Sequence, residues 1–100
     1  MQPSELLDLV KLATGLDSDY KIMKKYNFSQ PGVSNWRRNR SFPKNEVLIQ
    51  FAKILEINAG LLMLHGLHWR EKDPEAKEQL QRLIDAIAHA RFDDSFYGED

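Results

Sequence analysis

Apolar residues recur every three or four positions along most of the chain, in blocks punctuated by capping and breaking residues. Leu6, Leu9, Val10 and Ala13 predict a helix over residues 4–14. Ser4 would be its N-cap, Glu5 would suit the positive end of its dipole, and Gly15 would close it. A second helix is expected from a Ser18 N-cap to about Tyr26, with Ile22, Met23 and Tyr26 on one side. Asn27 follows, one of the few non-glycine residues that tolerates a left-handed turn. A third helix should start at Ser29, with Pro31 in its first turn and Val33 and Trp36 on its inner side. Asn39 to Asn45 reads as a loop in which Pro43 holds Phe42 extended and then opens the next helix. That helix, from about Lys44 to Glu56, carries Val47, Leu48, Phe51, Ile54 and Leu55 at core spacing. Asn58 caps a fifth helix, apolar on more than one face through Leu61, Leu62, Leu64 and Leu67. Asp73-Pro74-Glu75 starts a sixth, whose stripe of Ala76, Leu80, Leu83, Ile84, Ile87 and Ala88 runs to about Ala90. The expected fold class is all-α.

Composition narrows this only at the edges. One hundred residues, 42% of them apolar, make one compact unit and hardly two. No uncharged apolar run approaches the ~20 residues that span a bilayer, and the charged N-terminus lacks a signal-peptide core. With no cysteine there is neither a disulfide framework nor a cysteine-based zinc site. A cytoplasmic protein is expected.

Charge changes the picture more. The overall balance is −1, yet residues 20–45 hold seven cations (Lys21, Lys24, Lys25, Arg37, Arg38, Arg40, Lys44) and no acid. Residues 1–19 are net −3 and residues 71–100 net −5. One concentrated basic segment inside a near-neutral chain is the footprint of a phosphate-facing surface. The inner face of the third helix leaves Gln30, Ser34 and Asn35 outward, together with Arg37 or Arg38. Gln and Asn can donate and accept in a fork, and Arg matches guanine, so this face has the chemistry of a base-edge reader. Asp8 offers Arg37 a possible ion-pair partner, which ranks Arg37 below its neighbours as a contact.

The stretch from Ser29 to Arg40 resembles the recognition helix and following turn of Xre-type regulators, the family of the small phage Cro and repressor proteins. The resemblance continues through Phe42-Pro43 into Glu46-Val47-Leu48-Ile49-Gln50-Phe51-Ala52-Lys53-Ile54-Leu55 and covers about residues 4–66. The chain departs from the family pattern at Met23, where a small residue is usual, and at Asn27, where glycine is. The phosphate contact common in the family near position 19 is not carried to Asp19. The resemblance implies a lambda-repressor-like helix-turn-helix domain of about five helices over residues 1–70; the amphipathic helix and acidic tail of residues 71–100, read from the residues above, are additional to it. The resemblance further implies a dimeric, sequence-specific double-stranded DNA-binding regulator, a repressor on a roughly palindromic operator in a phage or prophage setting. Gln30, Ser34, Asn35 and Arg38 are the expected base contacts. Lys24, Ser29, Asn39, Arg40, Ser41 and Lys44 are the expected phosphate contacts.

The sixth helix can finish the core of its own subunit or form a dimer seam. Four or five helices already enclose the core upstream, so a homodimer through Leu80, Leu83, Ile84 and Ile87 is expected. The competing reading is a protein-interaction module, antitoxin-like or antirepressor-like, using that helix on a different protein. His65 and His68 stand at helical spacing, but no acidic or cysteine partner is in reach before Glu71, so no metal is expected. No nucleophile, base and oxyanion donor are placed together, and there is no glycine-rich phosphate loop. Neither an enzyme nor a cofactor is expected. Residues 92–100 are expected to be frayed, with Phe96 and Tyr97 given no role.

Overall fold

The structure, a computed structural model, describes residues 1–90. It is all-helical among these, with α1 (Pro3–Thr14), α2 (Asp19–Tyr26), α3 (Gln30–Arg37), α4 (Asn45–Leu55), α5 (Ala59–Arg70) and α6 (Pro74–Ala90). The tail beyond Ala90, with Phe96 and Tyr97, lies outside the described residues.

Most boundaries follow from local cap chemistry. The Ser18 hydroxyl accepts from Lys21 N–H, the Ser29 hydroxyl from Gly32 N–H and the Asn58 side chain from Gly60 N–H. Gly15 and Asn27 close α1 and α2 in the left-handed conformation, at φ 74° and 58°. Asp73 caps α6 by accepting from Ala76 N–H.

Two boundaries differ from the sequence reading. Gln2, not Ser4, is the N-cap of α1, and its backbone N–H donates to Glu5 Oε1 at 2.6 Å. Ser4 N–H is instead satisfied by Asn39 Oδ1 at 2.9 Å, a contact across 35 residues that no local pattern discloses. Pro43 does not open α4. It is buried in the preceding loop, and α4 starts at Asn45 with Lys44 as a cap that makes no side-chain bond.

Leu6, Leu7, Val10, Ile22, Val33, Trp36, Phe42, Leu48, Phe51, Ala52 and Leu62 form the core. Leu7 replaces the expected Leu9 and Ala13, both of which face outward. The turn between α2 and α3 is anchored by Phe28, whose ring lies 5.6 Å from that of Trp36 and 5.5 Å from that of Phe51. These edge-to-face contacts tie the turn to α3 and α4 at once. α4 packs on α1 and α5, and α6 packs on α5. Ile84, expected in a dimer seam, is buried inside the subunit. Leu80 and Ile87 are half-buried, whereas Leu83 stays 47% exposed.

Candidate functional site

The basic segment becomes a surface because its cations are exposed and mostly unspent. Lys21 pairs with Asp17 at 2.9 Å, and Arg37 turns inward. Lys24, Lys25, Arg38, Arg40 and Lys44 are exposed and have no acidic partner among the described residues. Lys24 and Lys25 lie on the last turn of α2, Arg38 caps α3, Arg40 follows it and Lys44 precedes α4.

Arg37 holds the helices that carry this surface. Its Nε and Nη2 donate to the two carboxylate oxygens of Asp19, each at 2.8 Å, and Nη2 also reaches Asp8 Oδ1 at 2.9 Å. One side chain of α3 thus fastens α1 and the first residue of α2. The Asp8 partner was legible in the sequence; Asp19 was not. The Arg37 guanidinium holds the Asp19 carboxyl below its usual range against an opposing desolvation, with Lys11 at 3.6 Å adding to the effect. Asp19 in turn keeps Arg37 firmly protonated. Arg37 is a positioning residue and is not free to contact a ligand.

Gln30 and Ser34 on α3 and Arg38 at its C-cap stand four apart, so they form one stripe along its outer side. The structure brings all three to the wall of an open cleft of about 320 Å³ between α2 and α3. Asp19, Tyr20, Met23, Val33 and Arg37 complete that wall. Asn35 is half-buried and lies outside it. Ser29 is exposed at the start of α3, its hydroxyl already accepting from Gly32 N–H. Asn39, expected to meet phosphate, has its side-chain oxygen occupied by Ser4 N–H, which leaves its amide N–H groups as donors. Ser41 is half-buried. The loop carrying Arg40, Ser41 and Lys44 is fixed from behind by Arg70, which donates to the carbonyls of Phe42 and Pro43 at 3.2 and 3.3 Å.

Sequence reasoning missed Tyr20, Phe28 and Arg70. Tyr20 is 63% exposed in the first turn of α2, where no periodic signal marks it. Chemically, the ensemble can pair with phosphate oxygens through its cations and exchange hydrogen bonds with flat polar edges through Gln30, Ser34 and Arg38. His65 and His68 belong to a separate region on α5. Among the described residues no three His, Asp or Glu side chains gather as a metal site. No helix among them is long and apolar enough to cross a membrane. No family model matches the chain, and neither a curated protein nor a solved structure is found similar to it.

Proposed function

We propose that this chain is a sequence-specific double-stranded DNA-binding regulator of the lambda-repressor-like helix-turn-helix type. It would act as a dimeric repressor on a roughly palindromic operator, in the phage or prophage setting that the resemblance implies. The observation that carries the reading is the coincidence of two features in one segment of the chain, residues 20–45. The polar stripe Gln30–Ser34–Arg38 lines an open cleft beside α3, and four further exposed cations without acidic partners among the described residues, Lys24, Lys25, Arg40 and Lys44, stand on the segments just before and after α3. In this reading α3 enters the major groove with Gln30, Ser34, Asn35 and Arg38 against base edges. Lys24, Ser29, Asn39, Arg40, Ser41 and Lys44 meet the backbone on either side. Arg37 belongs to the scaffold.

The test is a comparison of binding to a random duplex and to the DNA flanking the chain's own gene, across a salt series. Tight binding to the flanking DNA, well above the random duplex and falling steeply with salt, supports a specific regulator. Weak and equal binding to both overturns it in favour of a partner-binding module that acts through α6.

A further inference from the structure

The cleft between α2 and α3 has two kinds of wall. Gln30, Ser34 and Arg38 are polar, while Tyr20, Met23 and Val33 present ring, thioether and methyl surface. Val33 is buried and Met23 half-buried, so they form a floor; Tyr20, 63% exposed, stands as an outer wall. The ring is the most exposed aromatic among the described residues, and its apolar body gains little from the fold itself. Asp19 also borders the cleft, but both of its oxygens are taken by Arg37, so it does not act as a free anion there.

We propose that this cleft receives the 5-methyl group of thymine, and that Tyr20 is a specificity-determining residue supplied by α2 rather than by α3. The inference rests on the DNA-binding reading and deepens it. Among the base pairs, A·T presents an apolar group in the major groove, the thymine methyl, directly beside hydrogen-bonding edges. An apolar floor flanked by Gln30, Ser34 and Arg38 matches that juxtaposition. The occupant is a nucleic acid rather than an apolar peptide because Arg38 lines the cleft and Lys24, one helical turn from Tyr20, is exposed beside it, both without acidic partners among the described residues. Those charges complement a polyanion.

The experiment starts from a duplex selected out of a random pool by the wild-type chain. Each thymine of the selected half-site is then replaced by uracil, which removes the methyl and nothing else. At one or two positions the replacement should weaken wild-type binding roughly fourfold, the size of one buried methyl group. Tyr20→Ala should bind thymine and uracil duplexes equally at those positions, whereas Tyr20→Phe should keep the discrimination because the ring remains. Tyr20 is exposed, so both variants should fold as the parent does. Uracil replacement without effect on a duplex that is still selected would overturn the cleft assignment and leave DNA binding intact. A discrimination that survives Tyr20→Ala would overturn the role of Tyr20. If no sequence is enriched at all, the DNA-binding reading fails, and this inference with it.

Discussion

Single side chains divide here into those that hold the surface and those that offer it. Arg37 belongs to the first group, through its bonds to Asp19 and Asp8. Its side chain is 33% exposed, so the pairs are partly screened, and Arg37→Ala should cost about 1–2 kcal/mol in urea unfolding. Asp8→Asn, at a carboxylate 59% exposed, should cost less than about 0.5 kcal/mol. The Asp19 carboxyl is held below its ordinary 3.8, so its contribution is full above that value and lost as pH falls through the lower folded one. Asp19→Asn should therefore flatten the acid limb of the stability curve below about pH 4. His65 acts at milder pH. Burial first, and then the N-terminus and His68, pushes it below its ordinary 6.5, and its Nδ1 is buried without a hydrogen-bond partner among the described residues. The neutral ring fits the fold, so stability is full above pH 6.5 and declines as the solution is acidified through the folded value. Unfolding midpoints measured from pH 8 to 5 should fall for the wild type and fall less for His65→Leu. Among the residues that offer the surface, Asn35→Ala should cost about 1–3 kcal/mol on the selected duplex alone. Arg40→Ala should weaken all duplexes similarly and reduce the salt slope by about one. Equal losses on specific and random DNA in both variants would remove Asn35 from the base-reading set.

Helix ends were the most legible part of the sequence because capping is settled within a few residues. Ser18, Ser29, Asn58, Gly15 and Asn27 do what their types and neighbours indicate. The inner face of α1 was less legible. Apolar side chains at Leu6, Leu7, Leu9, Val10, Leu12 and Ala13 nearly encircle the helix, so contacts with α3 and α4 decide that Leu7 goes in and Leu9 stays out. The missed contacts share a cause: Asn39 to Ser4, Arg70 to the carbonyls of Phe42 and Pro43, and Phe28 to Phe51 all join distant segments. For the candidate site, the polar stripe of α3 was readable from its spacing, while Tyr20 and the spent charge of Arg37 needed the packing of α2. One element end is open to improvement. Glu56 closes α4 at φ 58°, a left-handed conformation that costs a side chain such as glutamate more than it costs glycine. Glu56→Gly should raise stability by about 0.5–1 kcal/mol in a denaturant titration. Gly66→Ala should do the reverse, since a Cβ there would meet the buried Phe42 ring at 3.1 Å and Arg70 at 2.9 Å. The Phe42 ring, on the loop that also carries Arg40 and Lys44, would have to give way by a few tenths of an ångström.

The described residues span 40 × 35 × 19 Å, about two helices thick, so every helix has a side near the surface. On α5 and α6, which pack against each other, that side leaves Leu67 54% and Leu83 47% exposed. Two open leucines on adjoining helices are what the proposed homodimer would cover, while Ile84 on the same α6 stripe is already buried within the subunit. The two roles of α6 can therefore be separated by mutation. Leu83→Glu should leave helical content and unfolding midpoint near those of the parent, yet convert a particle of twice the chain mass into one of single mass by sedimentation. Ile84→Ala should instead cost about 2–4 kcal/mol of stability, because it opens a cavity between α5 and α6. A two-fold operator adds a functional consequence. Two recognition helices about 34 Å apart bind as one unit only when the subunits are joined, so Leu83→Glu should lose most of its affinity for a full site and little for a half-site. A parent chain that is already monomeric at micromolar concentration would break this scheme, and the leucines of α5 and α6 would then be the surface on which to seek a different protein.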